Sequence, residues 1–118
     1  MHPQLELLLE IQDLRSQRTD MDDGVLGDVE SDVFDVRLDE ARELLDATVS
    51  ALELRLDDDV RNRYRSVSSK GPRTVAPVIR GICYGCFMAV ATARASVADR
   101  NSRVECCEHC GRFLYHVD

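Results

Sequence analysis

The sequence predicts a mostly helical α+β fold, in which an N-terminal helical hairpin or coiled coil precedes a small C-terminal β unit. Three observations predict this class. Apolar residues recur at helical spacing through most of residues 1–69. All five cysteines lie in the last third of the chain, where β-branched residues and glycines are frequent. Residues 1–69 hold eight Arg against eighteen acids, a net of −10, whereas residues 70–118 hold seven bases against four acids, a net of +3, which indicates two units.

A short first helix is predicted over about residues 4–18. Pro3 suits a helix start, and the stretch "QLELLLEIQDLRSQR" follows with leucines and one isoleucine at helical spacing. Glu6, Glu10 and Asp13 are expected on its solvent side. The acidic, glycine-containing stretch that follows, residues 19–32, is expected to connect this helix to the next.

One long second helix is predicted over about residues 32–68. Apolar residues step by threes and fours from Phe34 to Val67, and neither Gly nor Pro interrupts them. Ser31 is a suitable N-cap, and the Gly-Pro pair at residues 71–72 ends the helix. The spacing is that of a coiled-coil seam, which the additional apolar residues Leu44 and Leu54 broaden.

The unequal lengths of the two helices predict self-association. At 1.5 Å per residue they span roughly 22 Å and 55 Å, so the first helix covers only about half of the second. The apolar stripe of the second helix nonetheless continues to Leu52, Leu56 and Val60. We therefore predict a homodimer formed through the helical region.

The cysteines predict a metal site in the second unit, residues 70–118. Four of them form two C-x-x-C pairs, "CYGC" and "CEHC", with twenty residues between the pairs. Such pairs on two tight turns can offer four thiolates to one ion, and Gly85 and Gly111 suit turns that need a positive φ. The predicted ligands of one structural Zn²⁺ are Cys83, Cys86, Cys107 and Cys110. Iron uses the same ligands, so spacing alone leaves that alternative open.

The remaining residues near the second pair are not expected to bind the metal. Cys106 ends a predicted strand and should point to the side opposite Cys107, as a small buried apolar residue. His109 is expected to face solvent. The strands predicted around the cysteines, including residues 104–106 and the run "FLYHV", make the second unit a zinc ribbon, with Phe87, Phe113 and Tyr115 in its core.

Several classes of function are disfavoured by the sequence. It contains no run near 18 apolar residues, so no membrane span is expected, and its first residues do not resemble a signal peptide. We therefore expect a cytoplasmic protein. No phosphate-binding loop or nucleophile motif occurs, and four cysteine ligands would leave a zinc ion no open position, so we do not expect an enzyme.

The last fifty-five residues carry motifs of a known family. They read "YRSV", "APVIRGICYGCFMAV" and "CEHCGRFLY", and this pattern resembles the bacterial C4-type zinc ribbon family with an N-terminal coiled-coil hairpin. The resemblance implies that the four paired cysteines bind zinc. It also implies a nucleic-acid-binding or adaptor role, since family members are described in those terms and some are tied to flagellar assembly and an alternative sigma factor.

The function expected from these features is that of a non-enzymatic adaptor, whose coiled coil binds protein and whose ribbon contacts protein or nucleic acid. Nucleic-acid binding is expected to be weak, because the whole chain is acidic. The candidate contact residues of the ribbon are Arg80, Arg94, Arg100, Arg103 and Arg112. One alternative is a regulator that enters the RNA polymerase secondary channel, with an acidic tip of Asp20, Asp22, Asp23 and Asp28. Another is a metal-stabilised oligomeric scaffold.

Overall fold

The computed structural model describes residues 1–22, 32–90 and 100–117 and confirms the mostly helical α+β class. Within these ranges the elements are α1 (Pro3–Asp22), α2 (Asp32–Leu54), α3 (Asp58–Ser68), β1 (Val75–Ile79), β2 (Ile82–Cys83) and β3 (Phe113–His116). No helix in this part of the chain is both long and apolar enough to cross a membrane.

The first helix is longer than predicted, because its last turn has its own local contacts. It extends to Asp22 instead of ending near residue 18. The Thr19 hydroxyl donates a hydrogen bond to the Arg15 carbonyl at 3.0 Å, and Arg18 pairs with Asp22 one turn later at 2.7 Å. Glu6, Glu10 and Asp13 are exposed, as expected.

The single helix predicted over residues 32–68 is wrong, because α2 ends at Leu54 and α3 begins at Asp58. Neither Gly nor Pro causes this break. Instead, the Arg61 side chain donates hydrogen bonds of 2.7–3.1 Å to three carbonyl oxygens near the end of α2, those of Glu53, Leu54 and Leu56. These bonds satisfy carbonyl groups that would otherwise lack a partner at the helix end.

The first helix stabilises the break from the other side. The Gln4 side chain accepts a hydrogen bond from the Asp57 backbone N–H at 2.7 Å and donates one to the Arg55 carbonyl at 3.3 Å. With the backbone bonded in this way, Leu56 is buried against α1 at 2% exposure. Leu56 thus lies in the core although it follows the end of α2.

One buried cluster, the main core, joins all three helices to the sheet. Its buried members are Leu5, Leu7, Leu8, Ile11, Leu52, Leu56, Tyr64, Val75 and Phe113. Val60 packs against it, so the three residues that were expected to lack a partner are covered within the chain. The reason given for a dimer is therefore wrong, and self-association itself stays a prediction. The predicted units 1–69 and 70–118 contact each other through this core, and their division also stays a prediction.

Gln12 connects α1 to the first strand. Its side-chain oxygen accepts hydrogen bonds from the backbone N–H groups of Thr74 at 2.9 Å and Val75 at 2.8 Å. Thr74 and Val75 are both buried, so these donors have little access to water. The amide of Gln12 thus fixes the start of β1 against the middle of α1.

We predict that Gln12→Ala lowers the free energy of unfolding by about 1–3 kcal/mol, because it leaves two buried backbone donors without their acceptor. The matched control is Gln17→Ala, since Gln17 is exposed and its side chain bonds to Asp13 on the same helix at 3.0 Å. That change should cost less than about 0.5 kcal/mol. Urea unfolding measures both, and equal losses for the two variants would contradict the proposed role of Gln12.

The sheet has the order β2-β1-β3. β1 and β2 are antiparallel with Ile79 opposite Ile82, and the two intervening residues, Arg80 and Gly81, both have positive φ, as a tight hairpin turn requires. β3 lies parallel to β1 on its other side, and it confirms the strand predicted from "FLYHV". The strand predicted over residues 104–106 is reduced to one bridge between Cys106 and Phe113.

Candidate metal centre

The two C-x-x-C pairs adopt the same turn. In the first, the N–H of Phe87 donates to the carbonyl of Cys83 at 2.7 Å. In the second, the N–H of Gly111 donates to the carbonyl of Cys107 at 2.9 Å. Phe87 and Gly111 both have a positive φ, 62° and 78°. We call these turns the first and the second knuckle.

The knuckles bring four sulfur atoms together. The Sγ atoms of Cys83, Cys86, Cys107 and Cys110 all lie within 4.8 Å of one another. Two sulfur–sulfur distances across the knuckles are 3.8 Å and 3.7 Å. A tetrahedral ion with bonds of about 2.3 Å separates its sulfur ligands by roughly 3.8 Å, whereas a disulfide needs about 2.05 Å. The four thiols therefore have the spacing of a metal site, and all five cysteines are free.

Close approach, not backbone conformation, explains the glycine of the first knuckle. The expectation of a positive φ is correct for Gly111 but wrong for Gly85. A Cβ atom at Gly85 would lie 2.8 Å from Cδ of Arg112 and 3.1 Å from Cβ of Ala76. A side chain at residue 85 would therefore force Arg112, which crosses directly over it, to shift.

Arg112 connects the two knuckles instead of extending into solvent. Its Nη1 atom donates to the Gly85 carbonyl at 3.3 Å, and its Nε atom donates to the Arg73 carbonyl at 3.1 Å. Gly85 lies within the first knuckle and Arg73 precedes it, whereas Arg112 directly follows the second knuckle. The Arg112 side chain therefore links the two. A positive charge next to the thiolates also offsets part of their negative charge.

The environment of the sulfurs shifts their pKa values in opposite directions. Burial raises the pKa of Cys83 to about 12, against hydrogen bonds from the backbone N–H groups of Gly85 and Cys86. Burial also raises the pKa of Cys110, but hydrogen bonds from the backbone and side chain of Arg112 and from two neighbouring thiols outweigh it and lower the pKa to about 7. A thiolate therefore forms most readily on the Arg112 side of the cluster, and metal binding must displace the remaining protons.

The fifth cysteine lies apart from the four. Cys106 packs against the main core, whereas Cys107 belongs to a second buried cluster inside the ribbon. Burial raises the pKa of the Cys106 thiol, which suits a residue that stays protonated among apolar neighbours. His109, within the second knuckle, is exposed.

Asn101 holds the last strand, β3, in place, and the sequence does not indicate this role. Asn101, at φ 63°, exchanges two hydrogen bonds of 2.8 Å with the backbone N–H and C=O of His116. The buried His116 ring lies 3.4 Å from a carboxylate oxygen of Glu105. These contacts tie the segment before the second knuckle to β3. An asparagine in a polar stretch is too common for this role to be inferred from sequence.

The four described candidate arginines lie in three segments of the ribbon. Arg80 lies in the β1–β2 turn, Arg100 and Arg103 precede the second knuckle, and Arg112 bonds to backbone as described. Arg94 lies outside the described residues. Their role in partner or nucleic-acid contact stays a prediction.

One aromatic residue is placed differently from the prediction. Phe113 and Tyr115 pack in or against the main core, which the ribbon shares with the helices. Phe87 was expected in the ribbon core, but 71% of its surface is exposed. Phe87 has a positive φ of 62° at the end of the knuckle turn, and in this conformation most of its ring stays outside the ribbon core.

The candidate acidic tip is described only in part. Asp20 and Asp22 form the end of α1, and Asp22 pairs with Arg18 at 2.7 Å and with Arg42 at 3.3 Å. Asp23 and Asp28 lie outside the described residues. The carboxylate of Asp22 therefore helps to hold α1 against α2.

Comparison with known proteins adds information on the fold alone. No protein-family model matches this chain, and no curated protein matches it. The chain is similar to a solved structure, CT398 from Chlamydia trachomatis, with a TM-score of 0.51 and 24% sequence identity over 68% of this chain. The match covers 34% of CT398, so this chain spans about a third of that protein's length.

Proposed function

We propose that this chain is a non-enzymatic, zinc-binding adaptor protein, in which one structural Zn²⁺ holds the ribbon together and the helical part binds protein. The observation that supports it is the cluster of four thiols within 4.8 Å of one another. Four thiolates are the ligand set of structural zinc sites, which fill every position of the ion with protein. Because Fe²⁺ and Fe³⁺ accept the same ligands, the identity of the metal needs a direct test.

The apolar cluster inside the ribbon depends on the proposed metal ligands. Its buried members are Ala76, Val78, Cys83, Cys107 and Leu114. Cys83 and Cys107 are proposed ligands of the metal. Much of the apolar burial in this cluster therefore depends on residues that metal binding would hold together. In sites of this kind the free energy of metal binding becomes free energy of folding.

An adaptor role fits the proposed closed site. Catalytic zinc keeps a coordination position for water or substrate, and four cysteine ligands leave none. The helical part, in contrast, offers a long acidic surface and exposed apolar residues on α2. We therefore propose that the metal only stabilises the ribbon, and that exposed side chains of the chain bind the partner protein. No described residue favours the polymerase alternative over this adaptor role.

We predict that the purified chain contains about one zinc per chain and no iron. Elemental analysis of protein expressed without added metal measures this directly. Replacement by Co²⁺ should give the intense thiolate-to-metal absorption of a four-sulfur site. A reddish protein with stoichiometric iron would contradict zinc, and protein that binds neither metal would contradict the site itself. Affinity capture from native lysate, with metal analysis of the same sample, then tests the adaptor role.

A further inference from the structure

The two knuckles share a turn but differ at one residue. Phe87 and Gly111 occupy equivalent positions, both with a positive φ. Glycine is favoured there, because a Cβ atom clashes with the backbone in this conformation. Phe87 thus has an unfavourable backbone conformation while most of its ring faces solvent. Since the ring gains little from burial within the chain, its conformational cost suggests a use outside it.

Three more large apolar side chains of the first knuckle are exposed. They are Ile82, Tyr84 and Met88, each at least 39% exposed, and the rings of Tyr84 and Phe87 lie 5.7 Å apart. We call Ile82, Tyr84, Phe87 and Met88 the knuckle patch. Tyr84 also lines a groove of about 560 Å³ between α1 and the ribbon, which an apolar side chain could enter. Exposed apolar residues grouped in this way mark interaction surfaces.

A second exposed apolar surface lies on α2. Leu44 and Leu54 are 68% and 73% exposed, and Ala47 and Ala51 between them are exposed as well. Steps of three, four and three residues place these four on one side of the helix, and Val36 continues the row. We call Val36, Leu44, Ala47, Ala51 and Leu54 the α2 stripe. It spans about 27 Å and differs from the row that packs in the main core.

The two surfaces carry opposite charge. Residues 70–90 contain Lys70, Arg73 and Arg80 and no acid. The net charge of this segment stays positive in the metal-bound form as well. Its two thiolates contribute −2, and its half share of a divalent ion offsets part of that charge. α2 contains seven acids and two arginines, a net of −5. Glu40 lies in the row of the stripe, between Val36 and Leu44, and Glu43 lies beside it. Complementary charge around two apolar surfaces favours their association and guides their encounter.

We propose that the knuckle patch of one copy packs on the α2 stripe of a second copy, and that two such reciprocal contacts close a two-fold dimer. This proposal rests on the proposed function, because the knuckle patch lies on a turn whose two cysteines are proposed zinc ligands. The alternative of pairing stripe with stripe would bring two helices of net charge −5 together. Patch-to-stripe pairing instead covers both exposed surfaces and joins unlike charges, with each patch contacting one stripe.

The test is the oligomeric state of the full, metal-loaded chain in sedimentation experiments across a concentration series. Phe87→Gly removes the ring and fits the positive φ. Leu44→Gln with Leu54→Gln removes the large side chains of the stripe without a helix breaker. Each variant should raise the dimer dissociation constant about tenfold or more. Val117→Ala, which removes an exposed apolar residue outside both surfaces, should leave it unchanged.

A photo-reactive phenylalanine analogue at position 87 identifies the contact itself. In a mixture of isotopically light and heavy chains, it should cross-link position 87 of one chain to residues 36–54 of the other. A monomeric wild type, a dimer that survives Phe87→Gly, or cross-links to another region would each overturn the proposal. Zinc content is measured in the same samples. Full zinc in a monomeric protein refutes the dimer and leaves the proposed function intact, whereas protein without metal refutes the site.

Discussion

Replacement of Cys107 by serine should abolish stoichiometric zinc binding and unfold the ribbon. Cys107 is 3% exposed, and its sulfur lies within 4.8 Å of three other cysteine sulfurs, a spacing that suits a metal ion. Serine is similar in size but does not supply a thiolate at neutral pH, so one of the four bonds is lost. Changes to residues that merely orient metal ligands cost about 10–100-fold in affinity, and loss of a ligand should cost more. Elemental analysis after dialysis should therefore find close to no zinc.

The adjacent cysteine is the matched control. Cys106→Ser makes the same chemical change one residue earlier, at a side chain that packs against the main core and lies outside the four-thiol group. It should keep about one zinc per chain and lower the free energy of unfolding by only about 1–2 kcal/mol, as expected for a polar group among apolar neighbours. Zinc loss in Cys106→Ser together with zinc retention in Cys107→Ser would reverse the assignment of the ligands.

The thiol cluster could be anticipated because its signal is local. A C-x-x-C pair places two sulfurs on one turn whatever surrounds it, and two pairs in one small unit have few ways to fold other than around a shared ion. The helical character of residues 1–69 was also predictable, although the break between α2 and α3 was not, since the apolar spacing of α1 and α2 reflects burial against the same core. In both cases the sequence positions that carry the signal lie close together in the chain.

The features that could not be predicted depend on contacts between distant residues. The break after Leu54 is held by Arg61 and by Gln4, which lies about fifty residues away from it. A side chain at residue 85 would force Arg112, which crosses it, to shift, and the sequence contains no trace of that crossing. Phe87 was predicted in the ribbon core, but it has a positive φ at the end of its knuckle and is 71% exposed. Helix periodicity and residue type do not contain this information.

The missed break also changes how the two parts of the chain are related. With a straight second helix, residues 52–60 would have formed a seam for another chain. Because the chain turns at residues 55–57, that seam closes on α1 and on the sheet, and Phe113 of β3 enters the same core as the helices. The ribbon should therefore not be thermodynamically independent of the helical part.

Phe113→Ala tests that dependence and should lower the free energy of unfolding by about 3–5 kcal/mol, the usual cost of removing a buried aromatic ring. Phe113 is 1% exposed and contacts a core to which all three helices contribute. Since small proteins have only about 5–15 kcal/mol of stability in total, the loss should be visible as a large fall in the urea midpoint. With Co²⁺ bound, the helical circular dichroism and the metal absorption should disappear in a single transition.

Phe87→Ala is the control for this change, because it removes the same ring from a position that is 71% exposed. At protein concentrations where the chain is monomeric, it should change the free energy of unfolding by less than about 0.5 kcal/mol. If Phe113→Ala instead melted the helices while the metal absorption persisted to higher urea, the ribbon would fold by itself, and the shared core would be a contact between two independent units. Coincident loss of both signals would show that the metal and the helices stabilise one cooperative structure, to which Phe113 contributes a connecting side chain.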